Sequence, residues 1–168
     1  MPTQQPLAKS LEHLTPDQAH ALKIHNDARD AASKQHSHSR PSLVWDAHLE
    51  AEAAKWAQHL ATDNKGLHHS TGDQRPGQGE NLYWMSGGGD GDMLAGGSQG
   101  WVDECKSYHG EKIGEGNFGS YGHYTQVIWP ATTRVGVAEA KSSDGGKFFV
   151  GRYSVPGNFT GENAWTGK

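Results

Sequence analysis

Near the carboxyl end, RVGVAEAK (residues 134–141) and KFFVGRYS (residues 147–154) alternate along their length, and SSDGG joins them. Alternation with a period of two is the pattern of a strand, and an Asp-Gly-Gly turn between two such runs is a hairpin signal. This chain is therefore committed to a sheet. Upstream, Thr15-Pro16-Asp17-Gln18 is a helix start: Thr as cap, Pro at the first helical position, Gln closing a capping box. That helix is expected to reach about Ser33, with Leu22, Ala28 and either Ile24 or His25 facing inward. SLVW (residues 42–45) reads as a short strand. Asp46 caps a second helix, Ala47 to Thr62, in which Leu49, Ala53, Trp56 and Leu60 share a face. ENLYWM (residues 80–85) reads as extended, and Trp101 to Tyr108 as a short helix. Three helical segments, a few strands and no internal repeat predict one α+β domain over residues 15–168, after a loose arm at 1–14.

A chain of 168 residues can bury a core without staples. Hydrophobic residues make up 33% and mean hydropathy is −0.80, so that core must be compact. Fifteen basic side chains stand against nineteen acidic ones, a net charge of −4, with no basic block. This argues against electrostatic binding of nucleic acid. The longest apolar run is far short of a membrane span. Cys105 is the single cysteine, so no internal disulfide can form. The opening MPTQQPLAKS carries no signal-peptide pattern, which leaves a cytosolic protein or a secreted one without its leader as expectations. Residues 87–100 hold seven glycines in fourteen and are expected to be an irregular, mobile surface loop. Residues 63–79 and 110–121 also read as loops, and the histidines of HSHS, His36 and His38, as solvated.

Four titratable residues sit beside glycine, Trp or Tyr rather than on plain polar faces: His69 in GLHHS, Glu80 in GENLYW, Glu104 in WVDECKSY and His123 in GHYTQVIW. Each alone is most simply a hydrogen-bonded structural residue. No local metal motif such as HExxH or CxxC links them. GHYTQVIW itself is β-branched and aromatic from Tyr124 onward and reads locally as a strand.

Taken in order, HNDAR (25–29), GENL (79–82), WVDE (101–104) and GHYTQVIW (122–129) resemble the CAP superfamily of cysteine-rich secretory proteins, antigen 5 and pathogenesis-related proteins, also called the SCP domain. The resemblance spans about Thr15 to Asn158. It implies a three-layer α-β-α sandwich with a surface cleft. The terminal RYSVPGN departs from that family's last signature: Gly151 stands where a cysteine is usual, and the proline is displaced to Pro156, while Tyr153, Gly157 and Asn158 keep their spacing. The resemblance thus implies a disulfide-free member. It places His69, Glu80, Glu104 and His123 in the cleft, with His68 the rival for His69 and Asp103 the rival for Glu104. His69 and His123 become candidate ligands for a weakly bound divalent metal, zinc first and magnesium second, with the carboxylates orienting the rings. The resemblance makes His25, Asn26, Arg29, Asn81, Tyr153 and Asn158 scaffold, with Asn81 holding a backbone turn. It also turns GHYTQVIW into a short helical turn that presents His123 to the cleft.

For function, the resemblance implies a secreted, non-enzymatic protein, monomeric or weakly dimeric. Sterol or fatty-acid binding is the leading activity, with a defence or host–pathogen role through the variable loops. The stretch HLATDNKGLHH (59–69), where sterol-binding relatives are aromatic, holds no aromatic residue. The alternative is a metal-dependent or serine-type hydrolase using Ser70 beside His69.

Overall fold

The computed structural model describes residues 13–87 and 93–168. Most of the expected amino-terminal arm, residues 1–12, lies outside the described residues, while Leu14 packs on the core. The elements are α1 (Pro16–His36), β1 (Val44–Trp45), α2 (Ala47–Asp63), β2 (Gly79–Met85), α3 (Leu94–Asp103), α4 (Gly122–Ile128), β3 (Arg134–Lys141) and β4 (Lys147–Ser154).

The hairpin is the centre of the sheet. Strands β3 and β4 pair antiparallel, with Arg134 opposite Ser154 and Lys141 opposite Lys147. β2 adds antiparallel to the free edge of β4, and β1 adds parallel to β3, giving the order β1-β3-β4-β2. Alternation then sorts the side chains onto two faces. Val135, Val137, Phe149 and Tyr153 join a core shared with α1, α3 and α4. Phe148, Val150 and Leu82 face α2 and its Ala53, Trp56, Ala57 and Leu60. Helices cover both faces, so the domain is an α-β-α sandwich. α2 lies so close to the sheet that its backbone at Leu49 and Glu50 occupies the space a side chain on Gly136 would need.

α1 begins as the sequence predicts: Thr15 Oγ1 accepts from Gln18 N at 3.1 Å, and Gln18 Oε1 accepts from Thr15 N at 3.0 Å. It runs past Ser33 to His36, whose ring stacks on Trp165 at 3.8 Å and so is not simply solvated. Its buried stripe is Ala21, Leu22, His25, Arg29 and Ala32; between Ile24 and His25, the histidine is the buried one.

The glycine-rich stretch 87–100 is not one irregular loop. Residues 88–92 lie outside the described residues, but α3 starts at Leu94 and contains Gly96, Gly97 and Gly100. The helical reading of 101–108 correspondingly shifts upstream, with a 3-10 turn over Glu104–Ser107 after it. Packing explains why glycine tolerates helix here. A methyl on Gly97 would stand 3.1 Å from the Phe149 ring, and one on Gly100 2.7 Å from Tyr83. The glycines let α3 approach the sheet, and that burial outweighs their entropy cost. Asp17 of α1 caps the new helix from outside, accepting from Leu94 N at 2.7 Å and Ala95 N at 3.2 Å. GHYTQVIW is likewise helical over Gly122–Ile128, and its strand-like residues Val127, Ile128 and Trp129 fill the core.

Candidate functional site

Separate segments line one cleft, among them the loop after α2, strand β2 and the first turn of α4, and the turn after α3 backs it. The cleft has a volume of about 420 Å³ and is lined by His69, Glu80, Asn81, Phe118, His123 and Gln126 among others.

One half is built on Glu80. Its cross-strand partner is Arg152, fixed by the β2–β4 register. Both side chains are nearly sealed from solvent, at 0% and 2% exposure, and Arg152 Nε donates to Glu80 Oε2 at 2.8 Å. The same carboxylate accepts from Ser70 Oγ at 2.6 Å, from Ser70 N at 3.0 Å and from His69 Nδ1 at 2.8 Å. Burial alone pushes the Glu80 carboxyl up, but the hydrogen bonds from His69 and Ser70 and the Arg152 charge outweigh it and hold it below its ordinary value. Arg152 also reaches Gln78 Oε1 at 2.9 Å and Ser70 Oγ at 3.2 Å.

The other half is built on Glu104. Its Oε1 accepts from the backbone N–H of His123 at 2.9 Å and of Tyr124 at 3.2 Å, so it caps α4, whose own cap residue Tyr121 has no acceptor side chain in place. Its Oε2 accepts from His123 Nδ1 at 2.7 Å. Glu104 stands behind the ring rather than in the cavity wall.

A carboxylate only accepts, so Nδ1 carries the proton in both pairs and the Nε2 lone pair is the ligand atom that remains on each ring. His69 and His123 face the same cavity, and each has the carboxylate partner that metal-ligating imidazoles characteristically carry. Two imidazoles with carboxylate partners on one cavity are donors of the type a divalent ion takes.

The neighbouring candidates point elsewhere. His68 turns away and makes an edge contact with Trp56. Asp103 accepts from Gln99 along α3. Ser70 Oγ is buried and committed to Glu80, with no imidazole partner among the described hydrogen bonds, which removes the geometric basis for a Ser70 nucleophile.

The scaffold residues hold the cleft's backbone. His25 Nδ1 donates to Ala21 O at 2.8 Å, so its Nε2 accepts from Tyr153 Oη at 2.8 Å. Burial lowers the His25 pKa to about 4, so the ring stays neutral. Asn81 does not hold a turn: it sits inside β2, and its amide donates to Tyr153 Oη at 3.2 Å and to His123 O at 3.0 Å. A chain of hydrogen bonds thus runs from α1 to the residue after Gly122. Asn26 clasps the backbone of Leu43 from both amide ends. Arg29 donates to the carbonyls of Pro41, Val127, Trp129 and Thr132 and so finishes the carboxyl end of α4. Asn158 ties α4's start, donating to Gly122 O and accepting from Thr125 Oγ1. Sequence reasoning placed Gln126 in the core or cleft wall, where it lies, but did not single out Arg152 or the hold of Ser70 on Glu80. A charged residue placed after the apolar run FFVG of KFFVGRYS was the available signal for Arg152.

Among the described residues, three α-helices on one sheet face, one on the other, and a polar cleft where loops meet define a class of small cleft-bearing α-β-α domains. The same fold is present in the solved structure of NaASP2 with Zn2+, with a TM-score of 0.76, 21% identity, and coverage of 96% of this chain and 91% of that one. It is also present in Na-ASP-1, with a TM-score of 0.74 and 24% identity, covering all of this chain and 47% of that one. The family model described as CAP, the cysteine-rich secretory protein family, matches residues 22–153, and the chain belongs to that family. It is similar to the Golgi-associated plant pathogenesis-related protein 1 of Homo sapiens, 34% identical over 141 residues and covering 84% of each chain. It is also similar to the pathogenesis-related protein PR-1 of Medicago truncatula, 38% identical over 127 residues, 73% of this chain and 68% of that one.

Proposed function

We propose that this protein is a non-enzymatic binding domain whose cleft takes a divalent cation, zinc by preference, through His69 and His123. The observation that carries the reading is the paired arrangement: two rings facing one cavity, each donating its Nδ1–H to a buried or half-buried carboxylate partner. Two neutral imidazole nitrogens suit a borderline metal such as Zn²⁺ better than the all-oxygen preference of Mg²⁺. Two protein ligands leave most of the coordination shell to water, consistent with weak binding. When bound, the metal supplies a positive centre for an anionic group of a partner or ligand. The protein's own residues orient the rings and keep their Nε2 atoms toward the cavity.

A sterol finds less to hold: among the lining side chains only Phe118 and Pro156 are apolar. We infer that any lipid contact rests on the cleft edge, where Phe118 is 41% exposed, rather than on a deep apolar pocket. The names of the pathogenesis-related relatives favour a defence or host–pathogen role outside the cell, with surface loops meeting the partner. The Golgi-associated relative keeps an intracellular placement open to test. Calorimetric titration of Zn²⁺ into the wild type and into a His69→Ala/His123→Ala variant tests the metal reading. The variant should lose one binding equivalent, and superimposable isotherms would remove the assignment.

A further inference from the structure

We propose a second divalent-cation site, formed by His59, Asp63 and His68 at the carboxyl end of α2. Their ligand atoms lie within 4.8 Å of one another, and none of the three lines the cleft. His59 and Asp63 are four residues apart on α2 and so share one face of its last turns. The chain then turns back. Asn64 ends the helix in the left-handed region at φ 47°, and Gly66 continues the reversal at φ 87°, which brings His68 over the same face.

Trp56 fixes this geometry. Its ring stacks on His59 at 4.6 Å and meets His68 edge-on at 5.4 Å. Its indole N–H donates to the His68 carbonyl at 3.2 Å, pinning the loop to the helix. The two imidazoles stand nearly perpendicular, at 81°, with centroids 6.0 Å apart. They meet edge to face rather than stacking, and small rotations within that contact turn a nitrogen of each ring toward a common ion.

Electrostatics agree. The last turn of α2 holds no basic residue, so the negative end of its dipole is uncompensated by the helix itself. Lys65 reaches Asp63 at 3.3 Å, but its side chain is 78% exposed and can swing away. Two imidazoles and one carboxylate are a borderline donor set that fits Zn²⁺, with water completing the shell, and suits Mg²⁺ or Ca²⁺ poorly. The adjacent histidines of GLHHS thus serve two places: His69 the cleft and His68 this outer site.

Four proteins separate this site from the cleft: wild type, His69→Ala/His123→Ala, His59→Gln/His68→Gln, and the quadruple variant, each titrated with Zn²⁺ by calorimetry and checked for unchanged thermal unfolding without metal. Wild type should bind two equivalents, each double variant one, and the quadruple variant none. Asp63→Asn should weaken the outer site about tenfold and leave the cleft equivalent unchanged. If the cleft variant binds nothing, or if His59→Gln/His68→Gln alone matches wild type, the outer site is overturned while the cleft reading stands; if both double variants match wild type, both readings fall. If only the cleft variant matches wild type, the cleft reading falls and the outer site stands.

Discussion

Glu80→Gln is the most informative single substitution. The wild-type carboxylate is fully buried and accepts from Arg152 Nε, Ser70 Oγ, Ser70 N and His69 Nδ1. The amide is isosteric but neutral, and its NH₂ must face donors. Arg152, 2% exposed, would keep a buried charge without its counter-ion. Breaking such a pair by removing one member costs about 3–5 kcal/mol. For a chain of this length each kcal/mol moves Tm by roughly 2–4 °C, so a fall on the order of 10 °C is expected by calorimetry or circular dichroism. Adding Arg152→Met removes the orphaned charge and should recover a large part of the loss, with a coupling above about 1 kcal/mol. Acid behaviour supplies a second readout. The Glu80 carboxyl is held below its ordinary value near 4.5, so its contribution is present above that pH in the wild type. The unfolded chain takes up the proton first as pH falls, and the contribution is lost on the way down to the folded-state value. Glu80→Gln should lack that component of acid destabilisation. A loss under about 1 kcal/mol, or no recovery with Arg152→Met, would refute the view that this pair anchors the cleft.

Three further outcomes follow from the scaffold. His25 is buried, neutral and lowered to about 4, so between its ordinary 6.5 and that value the unfolded state binds more protons. Stability should fall by about 3 kcal/mol as pH drops through that window, and His25→Phe should flatten this slope in denaturant titrations. Arg29→Met leaves carbonyls of Pro41, Val127, Trp129 and Thr132 without their donor and should cost about 3–5 kcal/mol in urea unfolding. Gly136→Ala drives a methyl into the backbone of α2, which cannot yield as a side chain would. A loss of about 2–4 kcal/mol is expected, and a neutral result would mean α2 is not seated as described.

Local chemistry made α1, α2 and the hairpin legible, because caps, helical spacing and turn residues act within a few positions. It failed where the deciding partner is remote. Gly96, Gly97 and Gly100 argue against a helix by propensity, yet the ring of Phe149 and the carboxylate of Asp17 make α3 favourable. GHYTQVIW has strand composition, yet Glu104 caps it at one end and Arg29 at the other, so it coils. The site shows the same division. His69, Glu80, Glu104 and His123 were visible as titratable residues in unusual company and became a group only through family resemblance. Nothing in local spacing could show that Arg152 faces Glu80, since that contact exists only once β2 and β4 are in register.

Each cleft carboxylate serves both the fold and a ring, and at Glu104 the two tasks can be separated. In Glu104→Gln the amide oxygen can still accept from His123 N and Tyr124 N, so the cap on α4 survives with only its charge lost, a cost of about 0.3–1 kcal/mol. The amide nitrogen then takes the place of Oε2 opposite His123 Nδ1 and donates to it. Nδ1 must become the acceptor, and the ring proton moves to Nε2. That removes the lone pair facing the cavity without moving a heavy atom. Zinc affinity at the cleft should fall about 10–100-fold while thermal stability hardly changes. Nitrogen NMR of His123 should report the exchanged tautomer. Unchanged zinc affinity alongside a switched tautomer would show that His123 Nε2 is not a ligand, and an unswitched ring would show that Glu104 does not set its proton.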